Sequence, residues 1–265
     1  MTEVSAQTLG LRVTVLGSSS AIPRPGRACS GYLIEGGGAA LVADLGSGAL
    51  SNLHRVRAAE DVDAVVISHM HADHFIDLIP MRYALKYGPR SNERKPVLWL
   101  PPGGEAMLRT LVSAFARESP HDFLGEVFDV REFDPSDELR VGDVRVRFAP
   151  TEHYIPTFAV RFDADDAGVA YSADTAPSED VAALASGSGL FVCEATLLPG
   201  EREEGRRGHL SGLEAGVLAE RAGVRHLALT HYPVGVSPEE LRAAASRGYS
   251  GAISVVDDSD VLQID

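Results

Sequence analysis

His69-Met70-His71-Ala72-Asp73-His74 places three imidazoles and a carboxylate within six residues of the chain. The motif directly follows residues 64–68 (AVVIS), a continuous apolar run that is typical of a buried strand. Alternation at a strand end points His69 and His71 to one side, and the turn into the next helix brings Asp73 and His74 to a neighbouring point. Imidazole and carboxylate groups are suitable donors for zinc and related divalent ions. The motif can therefore serve two metal ions. The alternative, a polar turn that only caps the next helix, does not require three histidines and an aspartate at this spacing.

Two coordination spheres need more ligands than one segment provides, so further donors are expected elsewhere. Three residues of the right type follow other predicted strands, where loops gather active-site groups. A lone His or Asp in such a place is usually structural, but three of them together with the motif indicate a two-metal site. These residues are His153 after strand 144–148, Asp174 after strand 169–172, and His231 after strand 226–230.

Short apolar runs alternate with helix-like stretches along the whole chain. Strands are predicted at 12–16, 31–34, 40–44, 64–68, 97–100, 127–133, 144–148, 158–162, 169–172, 190–194 and 226–230. Helices are predicted at 49–57, 75–87, 105–117, 178–184 and 212–222, with a last helix beginning at the cap Ser237-Pro238-Glu239-Glu240. Two strand-rich halves, each with its own helices, indicate two packed sheets with helices outside. Because no linker divides the halves, we predict one domain, residues 1–265, in which residues 1–9 are a loose N-terminal segment.

The composition, 45% apolar and 23% charged, is that of a globular protein with a sizeable core. The sequence shows no apolar run long enough to span a bilayer and no secretory signal. The two cysteines, Cys29 and Cys193, lie far apart and predict reduced, buried thiols in a cytoplasmic protein. The net charge of −14 argues against a partner such as long nucleic acid. The basic stretch 202–207 is interleaved with glutamates, which indicates a solvated loop.

The ordered set H-x-H-x-D-H, His, Asp, His resembles the metallo-β-lactamase superfamily over nearly the whole chain. The resemblance implies an α/β fold, a four-layer αββα sandwich, with two metal ions at one edge of the sheets. A bridging carboxylate in place of a cysteine is the pattern of the phosphodiesterase-like and glyoxalase-like branches. By position, the resemblance assigns His69, His71 and His153 to one metal, Asp73, His74 and His231 to the other, and Asp174 to the bridge between them.

Four blocks look like the ribonuclease Z-like branch of that superfamily: residues 16–23 (LGSSSAIP), 42–46 (VADLG), 193–196 (CEAT) and 208–211 (GHLS). In that branch a Glu and a His in the last two blocks form a dyad, which here would be Glu194 and His209. A histidine near neutrality can protonate a leaving alkoxide, and a carboxylate can fix its tautomer. Asp73, beside the attacking hydroxide, is expected to orient it as well as to bind metal.

The substrate prediction depends on the segment between the third His and the bridging Asp. Members that process tRNA carry a long basic arm there, whereas about twenty residues separate His153 from Asp174, which leaves no room for the arm. Blocks 30–33, 209–212 and 222–225 look similar to actinobacterial relatives described as cyclic nucleotide phosphodiesterases. We therefore predict a hydrolase that uses a metal-bridging hydroxide to cleave a small phosphodiester, with cyclic nucleotides as first candidates, rather than a tRNA 3′-processing endonuclease.

Two further functions stay open at this point. A carboxylic ester, thioester or lactone hydrolase would use the same residues, whereas a catalytically silent binding module is disfavoured because all seven ligand positions are filled. Zinc is the default metal, and manganese or iron would fit the same donors. The resemblance also implies a possible homodimer. A phosphodiesterase should present Arg27 and Arg82 near the metals, and an ester hydrolase an apolar groove of Ile22, Phe75, Leu78, Tyr154 and Ile155.

Overall fold

The apolar runs of the chain form two seven-stranded sheets in the computed structural model, which describes residues 10–90, 94–116, 123–198, 200–201 and 203–264. The first sheet contains β1 (Leu11–Gly17), β2 (Gly31–Gly36), β3 (Ala39–Leu45), β4 (Ala64–Val66), β5 (Val97–Leu100), β6 (Asp129–Glu132) and β14 (Val261–Ile264). The second contains β7 (Leu139–Val141), β8 (Val144–Pro150), β9 (Phe158–Ala164), β10 (Ala167–Tyr171), β11 (Leu190–Glu194), β12 (His226–Thr230) and β13 (Ala252–Val255). The orders are β14-β1-β2-β3-β4-β5-β6 and β13-β12-β11-β10-β9-β8-β7.

Helices cover the outer face of each sheet. Two of them begin with reciprocal capping boxes, Ser211 with Glu214 and Ser237 with Glu240, which satisfy the first free N–H groups of the helix. None of the helices among the described residues is long and apolar enough to cross a bilayer. The helices are α1 (Ala49–Val56), α2 (Ala72–Phe75), α3 (Leu78–Tyr87), α4 (Gly104–Ser113), α5 (Glu179–Ala185), α6 (Gly212–Ala222) and α7 (Pro238–Ala245).

Three apolar clusters separate four layers. The central cluster joins the inner faces of both sheets, for example Val13 and Ile34 from the first sheet with Phe162 from the second. A second cluster packs α1, α3 and α4 on the first sheet, and a third packs α5, α6 and α7 on the second. The predicted α/β class and αββα sandwich are confirmed. Because both sheets share the central cluster, we propose that the chain forms one domain. The predicted loose segment 1–9 lies outside the described residues.

The sequence prediction fails at four strands and one helix. The predicted helix 75–87 is two helices, α2 and α3, because Pro80 has no N–H to donate to the carbonyl four residues earlier. The strands β7, β13 and β14 were missed because each is short and largely solvent-accessible, so it lacks a continuous apolar run. The strand predicted at 127–133 is shorter, since β6 spans Asp129–Glu132, and it pairs in parallel with β5 in the first sheet.

The carboxyl ends of several strands meet at one edge of the sandwich. β3 is parallel to β4, and β10, β11 and β12 are parallel to one another. β8 runs in the same direction as β10, because both are antiparallel to β9. Loops that follow these strands therefore converge, which explains how donors more than 150 residues apart reach one site.

Candidate metal centre

Three non-glycine residues with left-handed backbone mark this edge: Asp44 (φ 55°), Ala173 (φ 49°) and His231 (φ 52°). They lie within two residues of the ends of β3, β10 and β12. This conformation is uncommon for residues with a side chain and clusters where function requires a particular geometry. Ala173 precedes Asp174, and His231 is itself a predicted ligand, so the strained turns coincide with the expected metal site.

The first cluster joins His69, His71, His153 and Asp174, whose donor atoms all lie within 4.8 Å of one another. Nδ1 of His71 lies 3.2 Å from Nε2 of His69 and 3.1 Å from Nε2 of His153. Oδ2 of Asp174 lies 3.7 and 3.8 Å from the Nε2 atoms of His69 and His153. A tetrahedral zinc with bonds of about 2.1 Å keeps its ligands roughly 3.4 Å apart. The spacing of these four donors therefore fits one ion.

The second cluster joins Asp73, His74, His231 and the same Asp174. Oδ2 of Asp73 lies 3.3 Å from Nε2 of both His74 and His231. Oδ2 of Asp174 lies 3.4 Å from Nε2 of His74, and its Oδ1 lies 3.5 Å from Nε2 of His231. Asp174 thus belongs to both clusters, as a bridging carboxylate must.

Two buried atoms of the site lack any other partner. Among the described residues, neither Nε2 of His74 nor Oδ1 of Asp174 makes a hydrogen bond. Burying a polar atom without a partner is costly, and a cation between the clusters would satisfy both atoms. The residues present therefore fit a pair of divalent ions.

The ionisation of three histidines and two carboxylates points the same way, whereas for His74 the neighbouring Asp174 and Asp44 outweigh burial and raise the pKa. Burial lowers the pKa of His69, His71 and His153, which keeps their nitrogens neutral and able to donate a lone pair. Burial alone would raise the pKa of Asp73 and Asp174, but the neighbouring histidines outweigh it and hold both values below the usual range. Neutral imidazoles and ionised carboxylates are the states that a divalent ion requires.

Two of the three histidines of the first cluster are held by a hydrogen bond to a residue outside it. Nδ1 of His69 donates to Oγ of Ser68 at 3.0 Å, because the Ser68 hydroxyl already donates its own proton to Asp44. Nδ1 of His153 donates to the carbonyl of Gly208 at 2.8 Å. Each bond fixes the tautomer that leaves Nε2 free for metal.

The second cluster has the same arrangement. Nδ1 of His74 donates to Oδ2 of Asp44 at 2.7 Å. Nδ1 of His231 donates to Oγ1 of Thr196 at 2.8 Å, since that hydroxyl donates to Glu194. Sequence reasoning did not assign these supporting roles. Asp44 and Thr196 lie in the blocks VADLG and CEAT, and their place in these blocks was the sequence signal that could have indicated their role.

Glu194 and His209 form a hydrogen-bonded pair beside the clusters. Nδ1 of His209 lies 2.9 Å from Oε1 of the buried Glu194. The His209 ring lies 5.0 Å from the His153 ring and 6.0 Å from the His231 ring, measured between centroids. Burial opposes the charge of His209, but Glu194 outweighs it and raises the pKa of His209 to about 9. The imidazole is therefore protonated at neutral pH and available as a proton donor.

The predicted pocket walls are only partly found. Arg82 is buried and donates to the carbonyl of Phe123 and to Glu126, so it does not reach a substrate. Nε of Arg27 donates to Asp257 at 2.6 Å, although the side chain remains partly exposed. Of the proposed apolar groove, Phe75 and Leu78 are buried in the core, Ile155 is half-buried, and Ile22 and Tyr154 are exposed.

The family is decided by comparison with known proteins. Residues 41–232 match the family model described as the beta-lactamase superfamily domain. The chain belongs to the metallo-β-lactamase superfamily. Within this superfamily it falls in the ribonuclease Z-like branch, and it is a metal-dependent hydrolase, as the sequence predicted. The His and Asp clusters described above could hold the metal ions that such a hydrolase needs.

Relatives align with nearly the full length of this superfamily member. An uncharacterized protein of Mycobacterium tuberculosis is 33% identical over 250 residues, which are 94% of this chain and 90% of that protein. Ribonuclease Z of Mycobacterium bovis is 29% identical over 275 residues, covering 96% and 98% of the two chains. The crystal structure of the metallo-β-lactamase fold protein YhfI from Bacillus subtilis superimposes with a TM-score of 0.85 at 27% identity, covering 96% and 99%.

Proposed function

We propose that this hydrolase is a two-metal phosphodiesterase for small substrates, with cyclic nucleotides as the first candidates. The observation that carries the proposal is the Glu194–His209 pair beside the two ligand clusters. Opening a cyclic nucleotide expels a ribose alkoxide, which is a poor leaving group unless it is protonated as it departs. His209, with a pKa of about 9, holds a proton at neutral pH, and Glu194 orients the ring that donates it.

The roles of the ligands follow from their two clusters. We infer that His69, His71 and His153 hold one divalent ion, that Asp73, His74 and His231 hold the other, and that Asp174 contacts both. When bound, such ions supply hydroxide at neutral pH and offset charge on the phosphoryl oxygens. Asp73 remains ionised beside them, and its carboxylate orients the attacking oxygen by accepting a hydrogen bond from it. Zinc is the first metal to test, then manganese and iron.

Two observations support a small substrate. The segment between His153 and Asp174 contains the strands β9 and β10 and their connecting turns, so the tRNA-binding arm has no place there. The net charge of −14 is unfavourable for gripping a long polyanion. The relative named Ribonuclease Z supports phosphodiester chemistry, because hydrolysis of RNA breaks a phosphodiester bond.

The decisive experiment compares three substrates with the metal-loaded enzyme: bis(p-nitrophenyl) phosphate, cyclic AMP and p-nitrophenyl acetate. We expect both phosphodiesters to be cleaved and metal analysis to give two ions per chain. Cleavage of the acetate without either phosphodiester would contradict the proposal and favour the carboxylic ester, thioester or lactone hydrolase.

His209→Ala tests the proton donor separately. General acid catalysis contributes about 10²- to 10⁴-fold, so turnover of cyclic AMP should fall by that order. Bis(p-nitrophenyl) phosphate should be affected far less, because p-nitrophenolate leaves without a proton. The matched control is His226→Ala, since His226 bonds to Ser254 on β13 and lies outside both clusters. Loss of metal from His209→Ala would mean that His209 is a ligand.

A small-molecule substrate, a cytoplasmic location and a homodimer complete the proposal. Sedimentation of the metal-loaded protein at micromolar concentration tests the last of these. A mass of two chains supports the homodimer, and a mass of one chain contradicts it.

A further inference from the structure

The segment between residues 203 and 209 folds back on Tyr154, the residue that follows the ligand His153. Oε1 of Glu203 accepts a hydrogen bond from the hydroxyl of Tyr154. Its Oε2 accepts the backbone N–H groups of Gly208 at 2.8 Å and His209 at 3.1 Å. The Glu203 side chain is only 12% exposed. The interpretation of this stretch as a solvated loop is therefore wrong for Glu203.

Arg207 holds the same peptide from its other side. Its guanidinium donates to both carboxylate oxygens of Glu214, at 2.9 and 3.0 Å, and Nη2 also donates to the carbonyl of His209 at 3.3 Å. Glu214 is itself fixed in the capping box of α6. The N–H and the carbonyl of His209 are thus both engaged by charged side chains, one from each side.

Gly208 brings this segment against the metal ligand. Its carbonyl accepts Nδ1–H of His153 at 2.8 Å. A Cβ on residue 208 would lie 2.6 Å from two ring atoms of Tyr154 and 3.0 Å from Nδ1 of His153, so a side chain does not fit. The backbone before His209 is therefore placed directly by the strand end that carries His153.

We propose that Glu203 is a positioning residue that, through Tyr154 and the backbone of Gly208 and His209, fixes the proton-donating imidazole of His209 relative to the metal clusters. The inference rests on the proposed role of His209 as the proton donor. A loop histidine without such a brace samples several positions, and a displacement of about 1 Å can cost on the order of 10²-fold in rate. Glu203 does not touch the substrate; it acts on the reaction through His209.

The test compares Glu203→Ala with the isosteric Glu203→Gln and with Glu204→Ala, which removes the exposed neighbouring acid. Each metal-loaded variant is measured on cyclic AMP and on bis(p-nitrophenyl) phosphate. Glu203→Ala should lower the turnover of cyclic AMP at least about tenfold and that of the activated diester less than about threefold. Glu203→Gln should recover most of the loss, because its amide oxygen accepts the two backbone N–H groups and its NH₂ donates to Tyr154. Glu204→Ala should match the wild type.

A double variant separates positioning from a general structural role. In a His209→Ala background, Glu203→Ala should cause no additional loss, because its effect passes through the missing imidazole. A further loss there, an equal loss on both substrates, or loss of metal would overturn the inference. If His209→Ala itself shows no dependence on the leaving group, the proposed proton donor fails instead.

Hydrogen exchange tests the brace without reference to any substrate. The amides of Gly208 and His209 should exchange slowly in the wild type and in Glu204→Ala, and at least about tenfold faster in Glu203→Ala. Tyr154→Phe, which removes only the hydroxyl, should give an intermediate rate. Unchanged exchange in Glu203→Ala would overturn the inference even if no phosphodiester is cleaved.

Discussion

Oδ2 of Asp44 accepts a 2.7 Å hydrogen bond from Nδ1 of His74, and both side chains are completely buried. The same oxygen accepts the hydroxyls of Ser68 at 2.7 Å and Tyr171 at 2.8 Å, while Oδ1 accepts the backbone N–H of Ser68. Ser68 in turn accepts Nδ1–H of His69. One carboxylate at the end of β3 therefore orients one histidine of each cluster.

Asp44→Asn should weaken metal binding while the fold is kept. Asparagine tolerates the left-handed backbone of this position, φ 55°, so the turn need not change. Its NH₂ group replaces one carboxylate oxygen, so a donor faces the N–H and O–H groups that now donate to Asp44. Loss of such a supporting bond typically costs about 10- to 100-fold in metal affinity. Competition with a chelating dye measures this change.

The control for that substitution is Asp129→Asn, which changes an exposed carboxylate paired with Arg131 on the first sheet. Its metal affinity should equal that of the wild type. An unchanged affinity in Asp44→Asn, with circular dichroism showing a folded protein, would mean that His74 and His69 are oriented without Asp44.

The strands and helices with strong apolar patterns were predictable from the sequence alone. β11 has the predicted bounds 190–194, and α6 has the predicted bounds 212–222. β13 and β14 were missed because an edge strand is covered on one side only, so its residues need not be apolar. Edge position is a property of the tertiary structure and leaves no local periodicity.

The clustering of His and Asp side chains was predictable because their chemistry is visible in the residue type, whereas the residues that support them were not predictable. Three imidazoles in six residues have few structural explanations, whereas Ser68 is an ordinary residue at a strand end. Glu203 and Arg207 lie in a charged stretch that has the composition of a solvated loop. Their role depends on Tyr154 and Glu214, which other parts of the chain bring into contact with them.

Both thiols should be unreactive in the folded protein. Burial raises the pKa of Cys29 to about 11 and that of Cys193 well above its usual value. Thiolate is the reactive form, so at pH 8 only about one Cys29 in a thousand is ionised, and reactivity should rise only as the pH approaches 11. Ellman's reagent at pH 8 should find no fast-reacting thiol in native protein. In guanidinium chloride, two thiols per chain should react.

A rapid reaction at one thiol in native protein would contradict this expectation. It would require local opening of the chain around Cys29, whose Sγ donates to the carbonyl of Ser20, or around the buried Cys193 on β11. The variants Cys29→Ser and Cys193→Ser identify which thiol is responsible.

Removing the metals should lower the melting temperature, because the ions compensate charges that the fold brings together. Without them, Asp73 and Asp174 share a site with Asp44 close by, and Nε2 of His74 lacks a hydrogen-bond partner among the described residues. An ion present at about 1,000 times its Kd contributes about 4 kcal/mol to the free energy of unfolding. For a chain of this size, that corresponds to a shift of roughly 10 °C per ion. Differential scanning calorimetry before and after chelation measures the shift, and added zinc should restore it.

Asp174→Asn provides the matched control, because Asp174 is the donor common to both clusters. This variant keeps the shape of the side chain and removes the charge that two cations share, so its metal content should fall. Its melting temperature should then respond little to the chelator. If chelation strips the ions from the wild type and leaves its melting temperature unchanged, the clusters do not couple metal binding to folding. In that case a protonated His74, whose pKa Asp174 and Asp44 raise against the effect of burial, compensates the buried carboxylates. The stability of the metal-free protein should then fall as the pH rises through the pKa of His74.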